Sequence, residues 1–254
     1  MGKKRGRTLP LTAPRRLICD LLHFARGVPS VPVQRRMNVA DLVEARGRAA
    51  HRISWCAIFT KAFARTAVQT PELRRAYLAF PWAHLYEHPC SIASVAVERL
   101  YRGENAVFFA HLQSPETKTL QALDEKLRQY KTEPVENLTL FRRALAIGRL
   151  PGWLRRPGWW WLLNARGPWR SAVAGTFGVS VYAGLGAESL HPLSPLTTTL
   201  NYGVIQGDGG VTVRITYDHR VMDGPTVARA LALLEDILHH DVLTELLDGA
   251  GRAA

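Results

Sequence analysis

The chain has 254 residues, a formal net charge of +12 and 47% hydrophobic residues. This composition supports a sizeable buried core in one large domain or two small ones. The excess of positive charge favours anionic partners, namely CoA phosphates, an acidic carrier protein, an anionic membrane surface or nucleic acid. No nucleic-acid-binding motif accompanies the charge, so we expect no nucleic-acid partner.

The cysteines Cys19, Cys56 and Cys90 are widely spaced and form no Cys/His pattern typical of zinc sites, so we expect no metal. Their scarcity fits a reducing compartment. No apolar run reaches the ~18–20 residues of a membrane-spanning helix, and no secretory leader follows the basic amino terminus. The sequence therefore predicts a cytoplasmic protein, with peripheral contact at the inner face of the membrane as an open alternative.

Residues 1–13 are predicted to be a flexible basic arm, and residues 14–254 a single domain. Apolar positions spaced by three and four residues predict helices, whereas alternating or continuous apolar runs predict strands. The predicted helices are 14–26, 41–50, 54–70, 117–131, 138–150, 225–240 and 242–247. The predicted strands are 31–39, 90–97, 106–111, 175–181, 197–205 and 211–217, with turns at 102–105 and 207–210. This mixture, without strict βαβ alternation, predicts an α/β (α+β) fold with a mixed sheet.

The decapeptide T-Y-D-H-R-V-M-D-G-P at residues 216–225 joins a predicted strand to a predicted helix. It places His219 and Asp223 four residues apart, at a junction where side chains can point into a cleft. A histidine there can take a proton from a thiol or hydroxyl near neutral pH, and an aspartate can fix the local geometry. The alternative is a packed histidine and an aspartate that caps the helix. The longer pattern Y-D-H-R-V-x-D-G favours the functional interpretation.

This pattern resembles the active-site signature of the 2-oxoacid dehydrogenase acyltransferases (dihydrolipoamide acyltransferases) and of the related chloramphenicol acetyltransferases. The segment G-T-F-G-V-S, which ends at Ser180, resembles the family's Gly-Thr-Phe-x-Ile-Ser. The resemblance covers about residues 14–240, with a gap at 138–170. It extends to residues 15–18, 39–46, 53–73, 90–97 and 117–129.

The resemblance implies a chloramphenicol acetyltransferase-like sandwich, a large sheet with flanking helices, assembled as a homotrimer or a multiple of it. It implies that His219 is the general base and that Ser180, from the neighbouring subunit, donates a hydrogen bond to the tetrahedral oxyanion. It implies that Asp223 pairs with an arginine near the start of the chain, either Arg15 or Arg16, with Arg16 preferred. A CoA or pantetheine thioester is then the substrate, and no cofactor is tightly bound.

Two features depart from the family. Val181 follows Ser180 where the family has Asn or Ser, and the next glycine is displaced to Gly184. No lipoyl domain or subunit-binding domain is recognisable, so a lipoyl-bearing or acyl-carrier protein would act in trans. The sequence therefore predicts a stand-alone acyltransferase that moves an acyl group from a CoA or carrier-protein thioester to a thiol or hydroxyl. The alternative is a non-catalytic trimeric scaffold or binding protein that keeps the fold.

Arginine and tryptophan are concentrated in an insertion at about residues 138–170, which holds seven arginines, five tryptophans and no acidic residue. Proline and glycine at 151–152 and 157–158 predict irregular structure after the helix of residues 138–150. Tryptophan favours the bilayer interface and arginine favours anionic headgroups, so this insertion is a candidate membrane-contacting surface. The alternatives are docking of an acidic acyl carrier, a wall of an acyl tunnel, or packing within the assembly. The candidate contact residues are Arg155, Arg156, Trp159, Trp160 and Trp161.

Overall fold

A computed structural model describes residues 6–49 and 51–251 of the protein. Residues 1–5 of the predicted basic arm lie outside this range, and residues 6–12 have no regular secondary structure. The helices are α1 (Ala13–Ala25), α2 (Ala40–Arg48), α3 (Trp55–Gln69), α4 (Leu120–Thr132), α5 (Thr139–Arg149), α6 (Gly152–Asn164), α7 (Gly167–Ala174), α8 (Gly224–Ile237) and α9 (Leu243–Gly251). The strands are β1 (Ser30–Asn38), β2 (Arg75–Leu78), β3 (His84–Glu87), β4 (Ile92–Tyr101), β5 (Glu104–Gln113), β6 (Phe177–Val179), β7 (Thr198–Tyr202) and β8 (Gly210–Asp218).

The main sheet is mixed and six-stranded, in the order β1-β8-β7-β6-β4-β5. The central strand β6 runs parallel to both β4 and β7, whereas the other pairs in this sheet are antiparallel. The predicted mixed-sheet α/β class is therefore confirmed. The hairpin of β2 and β3 forms a separate two-stranded sheet, which was not predicted from the sequence because each strand has only four residues.

One face of the sheet is apolar and packs on α3. Phe63 of α3 lies 4.5 Å from Phe177 of β6, and Phe59 stacks on Tyr202 of β7 at 4.3 Å between ring centroids. These rings are almost completely buried, and burying one phenylalanine side chain stabilises the fold by about 1.5–3 kcal/mol. This layer holds the strands in register, and so it fixes the positions of the residues on the opposite face.

The opposite face of the sheet is mostly polar. A row of five residues crosses this face from strand to strand, and each residue is the register partner of the next. In order, the row is His111, Ser94, Gly178, Thr199 and Thr216. Side chains directly opposite each other in neighbouring strands point to the same face. Helices α1, α5, α6 and α7 lie over part of this face. They enclose its polar groups but leave a space between the helices and the sheet.

The insertion is helical throughout most of its length, which corrects the prediction of irregular structure after residue 150. Helix α6 continues through Pro157 and Gly158. Proline removes the bond to the carbonyl four residues earlier, and that carbonyl belongs to Trp153, which is 77% exposed. Packing of the opposite side of α6 through Leu163, which is buried, offsets the poor helix propensity of this sequence.

Arg155 is not on the surface, which corrects its assignment as a partner-contacting residue. Its side chain is 8% exposed and pairs with the carboxylate of Asp20 on α1. This pair could not be predicted from the insertion, which has no acidic residue, because the acid comes from a helix more than a hundred positions earlier. Its neighbour Arg156 is 56% exposed, with Nε 3.9 Å from the same carboxylate.

Candidate active site

His219 follows the last residue of β8 in a tightly held turn. Its backbone N–H donates a hydrogen bond to the carbonyl oxygen of Pro29 at 3.0 Å. The carboxylate of Asp218 accepts from the backbone N–H of Arg220 at 3.0 Å and from the Arg220 guanidinium at 2.7 Å. These bonds fix the backbone on both sides of the histidine, while its side chain stays 49% exposed. The imidazole is therefore both positioned and accessible.

Asp223 faces the imidazole of His219. Its Oδ1 lies 3.4 Å from Nδ1 of the histidine. Asp223 occupies the N-cap position of α8, yet its side chain makes no capping hydrogen bond. The structure therefore does not support the alternative in which the aspartate serves only as a helix cap. Burial, followed by the charge of Asp223, raises the pKa of the neighbouring Tyr217 phenol.

Ser180 follows the last residue of β6 on the polar face of the sheet. Its N–H donates to Leu200 O at 3.1 Å, and its carbonyl accepts from Asn201 Nδ2 at 2.5 Å. The next residue, Val181, packs against the hydrophobic core. The departure from the family at this position therefore adds an apolar contact, while the backbone of the serine remains held by the central strands.

The structure places Ser180 and His219 at opposite ends of the sheet. Strand β8 runs antiparallel to β7, which runs parallel to β6. Val179 of β6 is aligned with Leu200 of β7, and Leu200 is aligned with Ile215 of β8. Ser180 and His219 follow β6 and β8 in opposite directions from this line, so they are roughly 15 Å apart along the strands and about 10 Å apart across them. One chain alone does not bring this base and this hydroxyl together.

Arg16 does not meet Asp223 within the chain. It lines a cleft with Tyr101 and Arg102, at the turn between β4 and β5. The register aligns the other end of β4 with Tyr217, so the arginine lies roughly 25 Å from the aspartate along the strands. The cause is the course of α1, whose first turn lies at the far end of the sheet. Arg15 also lies on this first turn.

A cavity of about 480 Å³ lies between the polar face of the sheet and helices α1, α5 and α6, and Ser180 borders it. His111 and Ser94 form part of its floor, and burial lowers the pKa of His111 to about 4. Neither residue was predicted from the sequence to belong to the site. The sequence did contain a signal for His111. Alternate residues of a strand point to the same face, which places this histidine beside two apolar neighbours, Val107 and Phe109.

The described residues contain no group of His, Cys, Asp or Glu side chains that could hold a metal ion. In this part of the chain, no helix has both the length and the apolar character needed to cross a bilayer. The candidate site therefore consists of His219, Asp223 and Ser180, together with the cavity beside the serine.

Comparison with models of protein families and with curated proteins gives no match. Solved structures do match. Azotobacter vinelandii dihydrolipoamide acetyltransferase is 18% identical with a TM-score of 0.67, over 96% of this chain and 95% of that one. The cubic core of the pyruvate dehydrogenase multienzyme complex is 17% identical with a TM-score of 0.66, over 96% of each chain. A chloramphenicol acetyltransferase is 16% identical with a TM-score of 0.50, over 85% of this chain and 92% of that one.

The catalytic mechanism of the Azotobacter enzyme has been investigated through one serine, one histidine and an asparagine four positions after the histidine. The sequence identities are low, so these likenesses concern the fold. They confirm the sandwich expected from the sequence: the chain has the fold of dihydrolipoamide acetyltransferases and chloramphenicol acetyltransferase.

Proposed function

We propose that the protein is an acyltransferase that moves an acyl group from a CoA or carrier-bound pantetheine thioester to a thiol or hydroxyl acceptor. The observation that carries this proposal is the pairing of an accessible His219 with Asp223 on a backbone fixed by Asp218. The spacing of this pair equals that of the histidine and asparagine investigated in the Azotobacter enzyme. The fold, shared with two kinds of acyltransferase, supports the same reaction class.

The histidine serves as general base. Asp223 faces Nδ1, so it favours the tautomer that carries the proton there and stabilises the imidazolium that forms. The other ring nitrogen then takes the proton of the attacking thiol, whose pKa of ~8.5 leaves it mostly protonated at neutral pH. The acceptor sulfur or oxygen forms a bond to the acyl carbon, the thioester C–S bond breaks, and the imidazolium returns its proton to the departing thiolate.

Ser180 serves as the oxyanion donor. Its hydroxyl donates a hydrogen bond to the carbonyl oxygen of the tetrahedral intermediate, where one positioned donor contributes on the order of 3 kcal/mol. The distance between Ser180 and His219 in one chain supports a site shared by two subunits. We therefore include in the proposal a homotrimer, or a multiple of it, in which each site combines His219 of one subunit with Ser180 of the next.

The outward side of α6 has the character of a surface that a binding partner covers. Its exposed apolar residues form one stripe, with Arg156 on the flank, although an exposed helix face is ordinarily polar. An anionic membrane or an acidic carrier or lipoyl-bearing protein would cover this stripe and meet the positive charge. The protein would then work in the cytoplasm, at the inner face of the membrane or on the carrier. The stripe consists of Trp153, Leu154, Trp160 and Trp161.

The test is turnover of acyl-CoA with a small thiol acceptor by the purified protein. We expect His219→Ala to lower kcat by roughly 10²–10⁴ because general bases typically contribute that much. His51→Ala, at an exposed histidine between α2 and α3, should turn over like the wild type. Full turnover by His219→Ala would rule out His219 as the general base. If the wild type has no turnover with any acyl-CoA, the non-catalytic scaffold becomes the better description.

A further inference from the structure

The cavity beside Ser180 has the size and lining of a site for a hydrocarbon chain. Its volume of about 480 Å³ falls within the roughly 300–1,000 Å³ of small-molecule sites. Apolar side chains from three helices wall it against the sheet. These side chains are Leu17 and Leu21 of α1, Leu140 and Ile147 of α5, and Trp159 and Leu163 of α6.

The polar groups inside the cavity carry no charge at neutral pH. Burial lowers the pKa of His111 to about 4, so its imidazole is neutral there, and the hydroxyl of Ser94 beside it is neutral as well. The charged residues of the lining lie at its margin, because Arg15 and Arg143 are exposed and Glu104 accepts a hydrogen bond from Thr12. A charged or many-hydroxyl ligand would lose its hydration here without enough partners.

The mouth of the cavity adjoins the proposed oxyanion donor. Ser180 borders the cavity, and the exposed side chains of Val173, Tyr182 and Leu193 rim it. Exposed apolar side chains around an opening are typical of a site that admits an apolar ligand. A thioester carbonyl held at Ser180 would therefore have its alkyl chain directed to the cavity. An acetyl group, with a single methyl, would leave most of this volume empty.

The buried Nε1 of Trp159 has no hydrogen-bond partner in the described part of the chain. Buried donors are almost always paired in folded proteins, and this one belongs to a residue of the cavity wall. A water, or a polar group of a ligand, would satisfy the donor, whereas an alkyl chain has no acceptor for it. This orphan group agrees with a cavity that is occupied during function.

We propose that this cavity binds the hydrocarbon chain of a medium- or long-chain acyl thioester, which makes such a thioester the substrate of the protein. The inference rests on the proposed function for its thioester headgroup, whereas binding of the chain does not require catalysis. The insertion at residues 138–170 then has a defined role, since α5 and α6 form part of the wall together with α1.

The test measures binding of the fluorescent fatty acid dansylaminoundecanoate and its displacement by octanoyl-CoA and palmitoyl-CoA. The main variant is Ala144→Phe, which adds a ring at a half-buried position of the cavity wall. The matched control is Ala146→Phe on the exposed side of the same helix. We expect Ala144→Phe to weaken probe binding at least tenfold and Ala146→Phe to leave it unchanged.

His219→Ala separates this inference from the proposed function. Tight probe binding by both the wild type and His219→Ala, without turnover by either, would support the chain site and contradict the acyltransferase. Turnover of acetyl-CoA without probe binding, or without preference for longer chains, would overturn the chain site and keep the acyltransferase. If Ala144→Phe loses its fold by circular dichroism, Ala96→Leu on the cavity floor replaces it, and unchanged probe binding in that variant would also overturn the inference.

Discussion

Arg155 of α6 and Asp20 of α1 form a buried ion pair that ties the insertion to the first helix. Nη2 of the arginine lies 3.2 Å from Oδ1 of the aspartate, and Nη1 donates to Leu150 O at 2.7 Å. The two side chains are 8% and 1% exposed. The hydrogen bond to Asp20 raises the pKa of the arginine.

Removing one member of this pair should destabilise the protein strongly. Asp20→Leu or Arg155→Met leaves a buried charge without its partner, and each is expected to lower the free energy of unfolding by about 3 kcal/mol. The double variant should recover most of this loss, because an apolar pair avoids the desolvation cost. Urea unfolding of the four proteins gives the coupling energy. The control is Arg156→Met, whose exposed side chain should contribute less than about 1 kcal/mol; additive single losses would contradict the prediction.

Subunits that lack different halves of the proposed site should complement each other. Ser180→Ala is expected to lose on the order of 10²-fold in kcat through one missing oxyanion donor. Mixing it with His219→Ala, followed by dissociation and reassembly, should restore part of the wild-type turnover. Light scattering should show a trimer or a multiple of it. A fully active monomer would rule out the shared site, as would mixed assemblies no more active than the separate variants.

Acid should destabilise the fold partly through His111. Burial lowers its pKa in the folded state to about 4, whereas the unfolded chain titrates near 6.5. Between these pH values the unfolded state binds more protons, so the free energy of unfolding falls as the pH decreases from about 6.5 to about 4. The contribution is on the order of 1–3 kcal/mol.

Urea unfolding of the wild type and His111→Gln at several pH values in this window checks the prediction. The variant should lose less stability than the wild type as the pH falls. His88, whose pKa burial also lowers to about 4, remains in both proteins and supplies a common background. Equal losses in the two proteins would show that His111 does not contribute.

The outward stripe of α6 should bind anionic surfaces. Replacing Trp160 and Trp161 with Ala is expected to weaken sedimentation with anionic liposomes or capture of an acidic carrier protein, through lost apolar contact. Arg156→Glu should have the same effect through charge. Binding by the wild type should weaken as salt rises, because exposed charges are screened over ~8 Å at physiological ionic strength.

Turnover of a small soluble thioester should persist in these stripe variants, and Lys126→Glu on the exposed side of α4 should bind liposomes like the wild type. Dissociation of the assembly by the tryptophan changes, with liposome and carrier binding at background in the wild type, would instead show that the stripe packs between subunits.

Much of the fold could be predicted from the chain because its strongest signals are local. The apolar spacing of α3 and the alternation of β8 define their elements without reference to the rest of the molecule. Helix α6 escaped prediction because Pro157 and Gly158 are poor helix formers, and it is held by packing on α7, α1 and β2. The hairpin of β2 and β3 was missed for a similar reason, since its pairing is too short to leave a pattern.

The candidate site divides in the same way. His219 and Asp223 are four positions apart, so the sequence alone was enough to place both at one junction, where the structure brings them into contact. The proposed pairing of Arg16 with Asp223 and the surface position of Arg155 depended on distant elements. The path of α1 over the sheet decides both, because it carries Arg16 away from the aspartate and brings Asp20 to α6. No periodicity in the sequence encodes that path.

The opposed directions of β6 and β8 have a consequence for how activity varies with the amount of protein. Each chain presents one half of the proposed site at one end of its sheet and the other half at the far end. A head-to-tail ring of such chains uses both ends of every member. Specific activity per chain would then decline on dilution as rings come apart. A chain that lacks both His219 and Ser180 would silence the two sites that it shares with its neighbours, although those neighbours are intact.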